Sequence, residues 1–151
     1  MKLSNRFRDE QKRLSDFDKE VWVVCPSCAR KAITMVNDVS KKARLFCSAC
    51  GYNKEVSIML AEHTELKTAA HIYFDVPLWL QLPFRSKEVF FAYNAEHLAY
   101  LEQYIAAGIR EHHDRTHFTL LEKLPKFYHD AKNRTALLKL IRKLKEKSNE
   151  D

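Results

Sequence analysis

Four cysteines stand in two C-x2-C pairs, Cys25 with Cys28 and Cys47 with Cys50, and this arrangement constrains the fold more than any other feature of the chain. A C-x2-C turn aims two sulfurs at one point, so two such turns facing each other complete a tetrahedral four-sulfur shell around a zinc ion. A shell closed by protein ligands leaves no position for substrate or an activated water, so the reading is one structural Zn2+ and no chemistry at the metal. Two disulfides, four unrelated buried cysteines, or iron in place of zinc are the alternatives. Gly51 follows the second pair and supplies a positive φ at little cost, whereas Ala29 holds the equivalent place after the first, so the first turn is expected to differ slightly.

Short β-type segments surround the cysteines. VWVV runs into the first pair, AITMV leaves it, ARLF enters the second and YNKEVSIML leaves it, a pattern that suits a small antiparallel ribbon. The rest of the chain has a different texture. The expected fold class is α+β: a small antiparallel β zinc ribbon followed by an aromatic-rich connector and a helical C-terminal region. The expected divisions are a charged helix or arm over 1–20, with Phe7 and Leu14 one heptad apart and Asn5 as a cap, the ribbon over 21–60, the connector over 61–93, the helical region over 94–147 and a tail over 148–151.

In the connector, Pro77 and Pro83 rule out one long helix, and an irregular segment packed onto a core is expected. Asn94 is placed to cap a helix over about 95–112, with Leu98, Leu101, Ile105 and Ile109 as its apolar stripe. A last helical region over about 118–147 is divided near Pro125 and carries Leu137, Leu140, Ile141 and Leu144. Trp79, Phe84, Phe90, Phe91, Tyr93 and Tyr100 are read as core rather than as a stacking surface.

With only Gly51 and Gly108 as glycines, glycine-rich phosphate-cradling loops are excluded. No apolar run approaches the roughly 20 residues of a spanning helix, and the N-terminus has no signal-peptide core, so a cytoplasmic protein without a membrane partner is expected. The formal net charge of +6 leans toward acidic partners. Part of that charge is concentrated: Arg30, Lys31, Lys41, Lys42 and Arg44 face only Asp38 between residues 30 and 44. They either contact phosphates or form a solvated loop that balances the zinc thiolates. Lys132, Lys139 and Lys143, expected on one helix face, offer a second basic strip whose plain reading is a solvated surface.

His112, His113 and His117 cluster beside Glu111 and Asp114, but the zinc-protease pattern H-E-x-x-H is absent, and exposed histidines at a helix end are the plainer reading. No nucleophile motif is visible, and no enzyme is expected.

The stretches CPSCARKA, LFCSACGYNKE, PLWLQ, FAYNAEHLAYLEQYIAAGIRE and LPKFYHDAKNRTALLKLIRKLK give the chain a resemblance that spans roughly residues 20–147. It resembles a family of small uncharacterised bacterial proteins described as containing a transcription factor IIB type zinc ribbon. The resemblance implies a ribbon, zinc, and a connector with helices behind it, and it implies no particular activity. Two functions are therefore expected: a zinc-ribbon module that binds RNA or DNA or serves nucleic-acid machinery, or an adapter that docks a larger protein assembly.

Overall fold

The computed structural model describes residues 7–8, 14–85, 87–107, 110–111 and 124–148. Its elements are β1 (Phe7–Arg8), β2 (Glu20–Val24), β3 (Lys31–Asn37), β4 (Lys42–Phe46), β5 (Asn53–Ser57), β6 (Met59–Ala61), β7 (Thr64–Glu65), β8 (Leu80–Phe84), β9 (Glu88–Ala92), α1 (Ala95–Ala106), β10 (Arg110–Glu111), α2 (Lys126–His129) and α3 (Arg134–Ser148). The architecture is α+β, with antiparallel sheets at the cysteines and a long helix at the C-terminal side. Among the described residues one pairing, β1 with β10, is parallel.

Strands β2-β3-β4-β5 form one antiparallel sheet in sequence order. Alternation along each strand sends Val21, Val23, Ala32, Thr34, Ala43 and Leu45 inward, all essentially inaccessible to solvent. Thr34 tolerates this position because its hydroxyl donates to the Val21 carbonyl at 2.8 Å, directly across the strand pair. The sheet shares one core with the helices: Val23 and Leu45 belong to the same buried cluster as Leu80, Phe90, Leu101, Ile105, Leu137 and Leu144. Burying such a side chain contributes about 1.5–3 kcal/mol, so the four-stranded sheet draws part of its stability from residues far along the chain.

The stripe expected of α1 is present, with Leu98, Leu101 and Ile105 buried, and Leu137, Ile141 and Leu144 form that of α3. Asn94 caps α1 as its position suggests, its Oδ1 accepting the His97 N–H at 2.9 Å. The helix is shorter than expected. It stops at Ala106, Ala107 turns to extended backbone (ψ 133) with its side chain buried, and Arg110–Glu111 is strand rather than helix. The next residue in sequence is Gly108, a poor helix interior residue by about 1 kcal/mol against alanine.

Three other expectations change. The connector is not irregular throughout: β8 and β9 form a hairpin, with Pro83 opposite Val89 in a two-stranded sheet, where a missing N–H leaves no central ladder broken. It also closes the β2 edge, since Trp22 N–H donates to Tyr93 O at 2.7 Å, Val24 N–H to Pro77 O at 3.0 Å, and Trp79 N–H to Trp22 O at 3.0 Å. The described part of the N-terminal stretch is not an α-helix but β1 and a 3-10 turn at Leu14–Asp16, while Asn5 lies outside the described residues. Beyond that turn Phe17 enters the core, and Asp18 O accepts the Ala70 N–H at 3.0 Å. The last helical region is broken at Asp130, leaving α2 as a single turn after Pro125 and a 3-10 turn at Ala131–Asn133. Lys132 consequently sits before α3, and only Lys139 and Lys143 share a face of that helix. The part of the region before Leu124, like Ile109, lies outside the described residues.

Candidate metal centre and the basic sheet face

Each cysteine pair is held by the same pair of backbone bonds. In the first turn Cys25 N–H donates to Arg30 O at 2.7 Å and Ala29 N–H to Cys25 O at 2.9 Å; in the second, Cys47 N–H donates to Tyr52 O at 2.9 Å and Gly51 N–H to Cys47 O at 2.8 Å. The two turns also share their left-handed residue, with φ of 64° at Ala29 and 83° at Gly51. The two turns thus differ only slightly, by about 19° in this φ (83° less 64°), and Ala29 adopts the left-handed conformation at a cost of about 1–2 kcal/mol for an L-residue with a Cβ.

The sequence folds the turns toward one another because β2 and β3 flank the first, and β4 and β5 the second, on a common sheet. All four Sγ atoms lie within 4.8 Å of one another, with Cys25 to Cys50 and Cys28 to Cys47 each at 3.6 Å. Sulfurs at those separations are not disulfide-bonded, which needs about 2.05 Å. They fit a metal: a regular tetrahedron of Zn–S bonds near 2.3 Å has edges of about 3.8 Å. Backbone N–H groups of Ser27 and Cys28 approach Cys25 Sγ at 3.4 and 3.5 Å, the usual support for a thiolate in this kind of turn.

The thiols of Cys50 and Cys28 are shifted in opposite directions. The Tyr52 backbone N–H draws Cys50 down to about 7. At Cys28 the Arg30 backbone N–H pulls downward, but desolvation and hydrogen bonds to Cys47, Cys50 and Cys25 outweigh it and push the thiol up to about 12. A divalent metal that requires four thiolates must displace those protons.

The outer face of the same sheet brings part of the basic cluster together. Register places Trp22, Ile33, Phe46 and Asn53 in one row across the four strands, with Glu20, Met35, Arg44 and Glu55 in the next row. Lys31 Nζ lies 4.3 Å from the centre of the Trp22 ring, and the Arg44 guanidinium lies 5.1 Å from that of Phe46 while its Nε donates to Asn53 Oδ1 at 3.0 Å. Lys42 shares this face and pairs with Glu55 at 3.4 Å. Arg30 is exposed beside the first cysteine turn. Lys41 is not part of the group: it pairs with Glu65 at 3.0 Å and lines a cleft of about 450 Å³ with Asp18, Lys19 and Asp38. Lys139 and Lys143 are exposed on α3. Met35 and Phe46, 52% and 40% exposed, were not singled out by sequence reasoning; strand parity was the available signal, since each lies on the same face as Arg44.

The aromatics that were singled out behave as core, with Phe90 stacked on Tyr128 and Phe84 on Phe127. His112, His113 and His117 lie outside the described residues. Compared with known protein families, curated proteins and solved structures, the chain has no match. What fold and site define together is an α+β protein with a four-cysteine centre suited to a metal ion, and no described helix is long and apolar enough to cross a membrane.

Proposed function

We propose that the chain is a zinc-stapled nucleic-acid-binding module, of the kind that presents a surface rather than performs a reaction. The observation that carries this reading is the outer sheet face, where Lys31, Lys42 and Arg44 stand beside accessible aromatic and apolar side chains on a scaffold pinned by the cysteines. Four soft thiolates in a tetrahedral set favour zinc among the common divalent ions, and Cys25, Cys28, Cys47 and Cys50 would hold it. The bound ion would cross-link the two turns, and its thiolate charge would be offset in part by Arg30 and Lys54 nearby in the chain.

Phosphate contacts release counterions, so the affinity should fall as salt rises; three contacts on a single strand correspond to a log–log slope of about −2. A filter-binding titration of the zinc-loaded protein with RNA and DNA at several salt concentrations tests this. Absence of any salt-sensitive affinity discards the reading.

A protein-docking adapter is the second reading, and the exposed Leu60 of β6 and Ile72 of the connector favour it. A stoichiometric partner that survives nuclease treatment in a pull-down would select it over the first.

A further inference from the structure

We infer that the ligand of the outer sheet face is a single-stranded nucleic acid, with unpaired bases stacking on the row that runs from Trp22 to Phe46; the inference rests on the nucleic-acid reading above and specifies its substrate class. Trp22 and Phe46 lie two strands apart in one register row, about 10 Å from strand to strand, with Ile33 forming an apolar bridge between them. Phe46 is the exposed ring of this row, while Trp22 is half-buried against the core, so one base stacks on Phe46 and a neighbouring base meets the part of Trp22 left accessible. A duplex, whose bases are stacked on one another, has nothing to place there.

Charge complements the row on both flanks. Lys31 leans on Trp22 from one side, held also by the Ser148 carbonyl at 3.4 Å, and Arg44 leans on Phe46 from the other, held also by Asn53. Cations fixed beside stacking rings are placed for the phosphates that follow each base, and the ordering cost of the Arg44 side chain is largely met before the ligand arrives. Two acids share the face and are already engaged: Glu55 with Lys42 at 3.4 Å, and Glu20, whose Oε2 lies 3.4 Å from Trp22 Nε1. Exposed Phe46 and Met35 at the middle of a sheet face otherwise carry an unrepaid contact with water, and a planar hydrophobic base covers that area.

The probe is a fluorescently labelled oligothymidylate or oligouridylate of about ten nucleotides, its anisotropy read against zinc-loaded protein; this length is within the span of small single-strand-binding sites. Controls are a duplex of equal length and a strand of abasic residues with the same phosphates. Single strands should bind about tenfold more tightly than either control, Phe46→Ala should remove about that advantage, and Phe46→Tyr should keep it. Phe46 is a surface residue, and an unchanged thermal melt and zinc content of Phe46→Ala exclude misfolding as the cause. Equal affinity for all three ligands with no effect of Phe46→Ala overturns the stacking inference and leaves the phosphate-binding reading standing. Failure of every nucleic acid to bind overturns both.

Discussion

Lys31 Nζ lies 3.4 Å from the carbonyl oxygen of Ser148, joining the strand that leaves the first cysteine turn to the last turn of α3. The cation meets the carbonyl end of a helix, where positive charge is favourable by about 0.3–1 kcal/mol. Trp79 adds a second tie to the same place, donating from Nε1 to Lys147 O at 3.3 Å beneath the Lys147 ammonium. The cysteine turns and the terminal helix are therefore mechanically linked, and the consequences can be measured.

Removal of zinc should not unfold the ribbon alone. Sheet and helices share one buried cluster, so chelation is expected to lower the melting temperature followed by helical circular dichroism as well as by tryptophan fluorescence. A helical transition that stayed in place while the ribbon unfolded would show the two parts to be independent.

Zinc binding should release protons, because thiols such as Cys28, held at about 12, must ionise to serve as ligands. Titration calorimetry in buffers of different ionisation enthalpy should return one ion per chain, with proton release that diminishes as pH rises. Cys50→Ser should weaken the site by several orders of magnitude. Undiminished affinity in that variant would remove Cys50 from the shell.

The left-handed positions give a paired prediction. An added Cβ at Gly51 meets nothing within 4 Å, so Gly51→Ala should cost only the conformational term, about 1–2 kcal/mol. Ala29→Gly, relieving the same strain at φ 64°, should be neutral or stabilising by up to ~1 kcal/mol after the greater freedom of the unfolded glycine is subtracted. Chemical denaturation of the zinc-loaded variants reads both.

Acid should weaken the fold through His97. The residue is 1% exposed and its ring is stacked on Phe17 with centroids 4.9 Å apart; Nδ1 accepts the Tyr93 N–H, and Nε2 is buried with no hydrogen-bond partner among the described residues. Burial lowers its pKa from 6.5 to about 4. The unfolded chain then binds the proton first, so this contribution is constant above pH 6.5 and is lost as pH falls toward 4, by at most ~3 kcal/mol. His71, also lowered by burial, acts in the same sense. The difference in stability between the parent and His97→Gln should change across this window, and a constant difference would contradict the assignment.

Asn94 should be among the most costly side chains to truncate. Beyond capping α1 through Oδ1, its Nδ2 donates to Phe17 O at 3.0 Å and Glu20 O at 2.7 Å, fastening the start of β2 to the helix. Asn94→Ala should cost about 2–4 kcal/mol, combining a lost cap with two carbonyls deprived of a buried donor. A cost near that of an ordinary surface cap, measured by denaturant titration, would mean that water replaces those donors.

The local rules were legible wherever local chemistry decides. Two C-x2-C turns announce a shared centre because few other arrangements satisfy four close cysteines, and the spacing of Leu137, Ile141 and Leu144 announces a buried helix face. Distant partners decided the rest. Phe17 looks like part of a charged arm until Asn94 and His97 claim the backbone and ring beside it, and residues 80–92 look irregular until Leu80 and Ala92 are seen paired. The Trp22–Phe46 row depends on which way each strand faces, and a one-residue shift in strand limits reverses that parity. Lys41 and Lys42 make the point at smallest scale: adjacent in sequence, one bonds to Glu65 and the other to Glu55.

The shared core also sets an order of events during synthesis. Strands β2–β5 leave the ribosome seconds before α3, at ordinary elongation rates, so the inner sides of Val23 and Leu45 emerge before Leu137, Ile141 and Leu144 exist to cover them. During that interval the cysteines offer the young sheet its nearest source of cohesion, because all four are already present. An ion taken up then would act as a built-in chaperone, holding a sticky half-protein in register until its other half arrives.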